Sequence, residues 1–160
     1  MSSRISEKTR EQINRIIERY PKKEAAMLPV LHQVQRETGN ITDQDEIMIA
    51  DMLEVHPVRV KEAVTFYSMI HQKGIGRYHI QICSNLSCSL KGGEGLLSHI
   101  QNKLGIGVGE TTEDGKFTLS AVECLGACET APCMMINDDY YGDLNEKKID
   151  KILKDLTSSE

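Results

Sequence analysis

Nowhere in this sequence do about 18 apolar residues run together, so no helix long and apolar enough to cross a bilayer is expected. No apolar segment follows the basic residues of Met1-Ser2-Ser3-Arg4-Ile5-Ser6-Glu7-Lys8, which gives no reason to read a secretory leader. No stretch combines dense Lys/Arg with aromatic side chains, and the formal net charge is −5, so a nucleic-acid surface is not expected. Cysteine is missing from the whole first half, and no Cys-x-x-Cys occurs anywhere, which removes a thioredoxin-type dithiol. No histidines interleave with the cysteines as a Rieske centre would require, and His32, His56, His71, His79 and His99 are scattered without metal-ligand spacing. No acid, base and nucleophile constellation stands near the cysteines either. These absences point to a cytoplasmic protein without membrane insertion and without bond-making chemistry of its own.

What is present is a globular composition, 39% hydrophobic and 27% charged over 160 residues, enough for a real core. Five cysteines are an odd number for a secreted disulfide framework, and all lie between positions 83 and 133. Residues 1–75 read as a helical domain. Ile13, Ile16, Ile17 and Tyr20 recur at helical spacing, with Pro21 closing that helix. A second helix carries Leu28, Leu31 and Val34 and stops at Gly39; Pro29 inside it predicts a late start or a kink. Thr42 with Asp45 resembles a capping box opening a third helix that buries Ile49, Met52 and Leu53. Pro57 suits the first turn of a fourth, bearing Val60, Val64, Tyr67 and Ile70.

Residues 76–160 change pattern, with Gly76 as the boundary. Tyr78, Ile80 and Ile82 alternate with Arg77, His79 and Gln81 as in a strand with one buried face. Leu96, Leu97, Ile100 and Leu104 are helical, and Phe117, Leu119 and Ala121 alternate again. Met134-Met135-Ile136 and Tyr140-Tyr141 flank an Asn137-Asp138-Asp139 turn. A last helix from Leu144 or Asn145 buries Ile149, Ile152, Leu153 and Leu156 and leaves residues 157–160 as a frayed tail. The expected class is α+β, a helical bundle followed by a β-α-β-β-β-α domain. Gly105-Ile106-Gly107-Val108-Gly109 follows a helix, so it is no dinucleotide fingerprint, and Gly92-Gly93-Glu94-Gly95 lacks the Gly-Lys-Ser/Thr of a phosphate loop; a flexible start to the helix is its expected role.

Cys83 is expected to end one strand with Cys88 in the loop beyond, and Cys124 to end the next strand with Cys128 in its loop. Two such corners can supply a thiolate pair to each iron of a [2Fe–2S] cluster. Gly126 between the second pair can take a positive φ and let backbone N–H groups approach the sulfurs, which raises a reduction potential. Four thiolates also suit a closed structural zinc site, the competing reading, in which the chain is a structural or assembly module. Cys133, following Pro132 at the head of an apolar strand, reads as core packing.

Cys83-Ser84-Asn85-Leu86-Ser87-Cys88 and Val122-Glu123-Cys124-Leu125-Gly126-Ala127-Cys128-Glu129-Thr130-Ala131-Pro132 resemble the 24 kDa subunit family of NADH:quinone oxidoreductase. Pro29-Val30-Leu31-His32-Gln33-Val34-Gln35 and Ala63-Val64-Thr65-Phe66-Tyr67-Ser68-Met69 look like the N-terminal helices of the same family. The resemblance implies a thioredoxin-like ferredoxin domain and one [2Fe–2S] cluster, with Cys83, Cys88, Cys124 and Cys128 on the family's four ligand positions. It also implies an FMN-bearing, NADH-oxidising flavoprotein subunit as partner, FMN and NAD being held there, and further iron–sulfur subunits in one complex. That complex would lie in the cytoplasm, peripheral to the inner membrane through other subunits. Similar modules serve NAD-linked hydrogenases and formate dehydrogenases. Cys133 departs from the apolar residue usual at its position.

Overall fold

In a computed structural model, which describes residues 4–158, the chain divides into two compact units, Met1–Gly74 and Ile75–Glu160. The first is all helix: α1 (Glu7–Ile17), a 3₁₀ turn (Lys23–Ala26), α2 (Met27–Thr38), α3 (Asp43–Leu53) and α4 (Pro57–Phe66). Local chemistry sets its boundaries. The Ser6 hydroxyl accepts the Thr9 N–H to open α1. Thr42 and Asp45 form the reciprocal capping box at α3, and Pro57 occupies the first turn of α4 after the His56 N-cap. Gly39 ends α2 with φ +79, a conformation open to glycine at little cost. Pro29 does not kink α2. The helix starts late, behind the 3₁₀ turn, so Pro29 falls in the first turn, where a missing N–H breaks no intrahelical bond.

Three expectations for this unit need correction. Pro21 does not close α1, which ends four residues earlier, where the Glu18 N–H bonds the carbonyls of Asn14 and Ile16. Helix α4 stops at Phe66, so Tyr67 lies outside it and is 43% exposed, and Ile70 is buried from the segment beyond. Met52 is packed only partly, whereas Ile49 and Leu53 are buried with Ile13, Leu31, Val34, Val60 and Val64 in one aliphatic core.

The second unit runs β1 (Tyr78–Cys83), α5 (Leu86–Leu90), α6 (Gly93–Leu104), β2 (Phe117–Val122), a 3₁₀ turn (Cys128–Thr130), β3 (Met134–Ile136), β4 (Asp139–Tyr141) and α7 (Glu146–Ser158). Its sheet has the order β2-β1-β3-β4, with β1 parallel to β2 and antiparallel to β3. The α6 residues Leu96 and Ile100 and the α7 residues Ile149 and Leu153 join Ile80, Ile82, Leu119 and Met134 in its core. Relative to the expected order, one short helix, α5, is added; the Asn85 side chain accepts the Leu86 N–H at its start, 2.8 Å away. His79 does not alternate outward. It is buried on the central strand, and its ring Nε2 meets the Ser120 hydroxyl at 2.8 Å, which satisfies its polarity. Ala121, expected inside, is exposed. Residue Thr157 continues α7 rather than fraying, and residues 159–160 of the expected tail lie outside the described residues. Among the described residues no helix is long and apolar enough to cross a membrane.

Candidate metal centre

Parallel pairing decides where the cysteines go. Register partners run from Tyr78↔Phe117 to Cys83↔Val122, so the C-terminal ends of β1 and β2 lie side by side. Cys83 is the last residue of β1 as expected, but Cys88 sits within α5 rather than in an open loop, and Cys124 lies two residues past the end of β2. Helix α5 is too short to show apolar periodicity, so only its Asn85 cap signals it in the sequence. The Ser84 N–H donates to the Val122 carbonyl at 2.9 Å, which extends the strand pairing one step past Cys83.

The first corner is closed over. Cys83 is 3% exposed and Cys88 1%, and with Ala131 and Cys133 they form a small buried cluster against which Leu125 and Ala127 pack. Those last two residues belong to the Cys124–Cys128 loop, so that loop packs against the first corner. The second corner is open: Cys124 and Cys128 are exposed. Gly93, expected to be a flexible start to a helix, is instead a close-packing residue. A Cβ there would stand 2.9 Å from the Cys88 carbonyl oxygen and 3.4 Å from that of Cys83.

Backbone donors converge on the sulfurs. Burial alone would push the Cys83 thiol up, but the N–H groups of Asn85 and Leu125 and the neighbouring thiols of Cys88 and Cys133 outweigh it and hold this thiol below its ordinary value. Burial, with Cys83 beside it, raises Cys88 even though the Cys133 backbone acts to lower it. Gly126 has φ +71, and its N–H donates to Cys124 Sγ at 3.3 Å, the local contact its position between the second pair predicts. Two thiol pairs therefore stand at or just past adjoining strand ends, with the Gly126 N–H on the Cys124 sulfur; the sulfurs found within mutual reach among the described residues are those of Cys83, Cys88 and Cys133, without Cys124 or Cys128. That chemistry fits an iron–sulfur cluster, which needs thiolate ligands and is tuned by such hydrogen bonds.

Cys133 is where the structure adds most to the sequence reading. It is buried at 2% exposure, as a packing residue would be, yet its Sγ lies 3.7 Å from Cys88 Sγ. Among the described residues, Cys83, Cys88 and Cys133 form a group whose sulfurs all lie within 4.8 Å of one another, close enough to hold a metal ion. Burial, and then the nearby Cys88 and Cys83, pushes the Cys133 thiol up to about 12. The signal for this proximity is pairing register. Ile82 faces Met134, so the next step of the antiparallel ladder sets Cys83 against Cys133, and the Cys83 N–H donates to the Cys133 carbonyl at 3.2 Å.

Comparison with known proteins agrees with this geometry. The thioredoxin-like [2Fe-2S] ferredoxin family profile matches residues 13–157. The chain is 46% identical over 151 residues to an NADH-quinone oxidoreductase subunit of Rhizobium meliloti (strain 1021), covering 94% of this chain and 90% of that protein. It is 46% identical over 146 residues to the corresponding NADH-quinone oxidoreductase subunit of Rickettsia felis (strain ATCC VR-1525 / URRWXCal2), covering 89% and 87%. An NAD+-reducing [NiFe]-hydrogenase in its air-oxidized state contains a similar fold, with a TM-score of 0.71 and 21% identity over 82% of this chain; the match spans 23% of that chain. With a profile that spans nearly its whole length and relatives this similar, the chain belongs to the thioredoxin-like [2Fe-2S] ferredoxin family.

Proposed function

We propose that this chain is the electron-transfer subunit of an NADH-oxidising complex, that it carries one [2Fe–2S] cluster on Cys83, Cys88, Cys124 and Cys128, and that it works beside an FMN-bearing flavoprotein subunit. The observation that carries this reading is that the two cysteine corners stand at or just past the adjoining C-terminal ends of a parallel strand pair, with Leu125 of the second corner packed against the buried cysteines of the first. Relatives named as subunits of NADH-quinone oxidoreductase support the parent complex. FMN and NAD belong on the partner, where the hydride chemistry takes place. The cluster supplies one-electron storage between flavin and later carriers.

This chain's own residues do the holding and the tuning. Cys83 and Cys88 anchor the site to the sheet from beneath cover, while Cys124 and Cys128 complete it from an exposed loop. The N–H groups of Asn85, Leu125, Cys133 and Gly126 spread charge away from the thiolates, which favours the more negative reduced state. The complex would sit in the cytoplasm, peripheral to the inner membrane through other subunits. The same role in an NAD-linked hydrogenase or formate dehydrogenase is the neighbouring reading, and co-purification of the partner subunits separates the three.

Anaerobic preparation followed by iron, sulfide and zinc analysis, with EPR after reduction, tests the site. Equal iron and sulfide with an EPR signal that appears on reduction is the expected result. Stoichiometric zinc without iron would overturn it and leave a structural zinc module in its place.

A further inference from the structure

The four-ligand reading leaves one thiol over, and it is not remote from the others. Cys133 Sγ lies 3.7 Å from Cys88 Sγ, within the range of a thiol-to-sulfur hydrogen bond. Its backbone is fixed by the 3.2 Å bond from the Cys83 N–H to its carbonyl. With both residues buried, bulk water has little access to that contact.

We propose that Cys133 tunes the redox centre by donating its S–H to the sulfur of Cys88 when that sulfur is bound to iron, which raises the reduction potential of the site. The inference rests on the ligand set proposed above. Four thiolates satisfy the terminal positions of two irons, so a fifth thiol has no metal to displace its proton. A proton held against a ligand sulfur stabilises added negative charge, and reduction adds one unit of it. A merely packed cysteine would fill the same space without this electrostatic effect.

The test uses the full chain with its cluster, as parent, Cys133→Ala and Cys133→Ser. Alanine and serine differ by a single hydroxyl, so packing is held nearly constant while the donor is removed or kept. In EPR-monitored redox titrations the alanine variant is expected to titrate below the parent, and the serine variant above the alanine one. Cys133→Val, a second donor-free replacement that fills the space more fully, is expected to move the same way as alanine. With the cluster assembled in D₂O, pulsed EPR should show weaker deuterium coupling in the alanine and valine variants than in the parent and serine proteins. Alanine and serine variants that titrate together would overturn the proposal, as would loss of iron from both, which would make Cys133 a ligand. A parent chain without a [2Fe–2S] cluster would sink the ligand reading itself, whereas a loaded parent with indistinguishable variants sinks only the donor role.

Discussion

The two cysteine corners are built alike and covered differently. Each follows the C-terminal end of a strand, β1 or β2, and the two strands run parallel with Cys83 beside Val122. Yet Cys83 and Cys88 are buried among Ala131 and Cys133, while Cys124 and Cys128 are exposed. The contrast separates two tasks that ligands perform at once. A buried thiol contributes packing and holds the site to the core. In the proposed site an exposed one would contribute a bond to metal and little else to the fold, and would leave that side of the site near the surface, where an electron could pass to a partner.

Ligand replacement gives the largest expected effect. Cys83→Ala and Cys124→Ala are each expected to abolish the EPR signal of the reduced protein, since each removes a proposed ligand. Only Cys83→Ala should also lower the melting temperature of the cluster-free chain, by the equivalent of ~1–2 kcal/mol for a buried side chain truncated. Equal melting shifts in the two variants would break the comparison.

Gly93→Ala comes next. Its Cβ would meet backbone atoms of Cys88, which cannot swing aside. Overpacking of this kind costs ~1–3 kcal/mol, more than the ~1 kcal/mol that alanine gains over glycine in a helix interior, so net destabilisation in denaturant titration is expected. Accessibility should give a third contrast: in the folded cluster-free chain, Cys124 and Cys128 should be alkylated more than about tenfold faster than Cys83, Cys88 and Cys133, a ratio that ~1.4 kcal/mol of opening free energy produces. Peptide mapping by mass spectrometry reads it directly. The smallest effect is expected at Gly126→Ala, where no atom lies within 4 Å of the added Cβ and only the φ of +71 resists, at a cost of ~1 kcal/mol. Loss of the Gly126 N–H contact to Cys124 would appear there as a lowered potential without loss of iron.

Features written in adjacent residues were legible in the sequence, and those made by pairing were not. The capping box of Thr42 and Asp45, the glycine end at Gly39 and the proline start at Pro57 rest on chemistry within one helical turn, and all three are found. His79 defied alternation because its ring meets the Ser120 hydroxyl of the neighbouring strand, so a polar side chain is buried with its polarity satisfied. Helix α5 held too few residues to show a period. Proximity of Cys133 to Cys88 depends on the β1–β3 register, a contact across 45 positions that spacing along the chain does not encode. For the cysteines, motif and strand-end position supplied the two corners, while the depth of each came only from the packing of Leu125, Ala127 and Ala131 around them.

The strand order β2-β1-β3-β4 has a consequence for biogenesis. Strand β1 is synthesised first but occupies an interior place, and both of its neighbours emerge from the ribosome later. The proposed metal pocket therefore has no floor or wall until translation has passed Met134, so insertion of iron and sulfide would wait until both neighbours of β1 have emerged and the sheet can form.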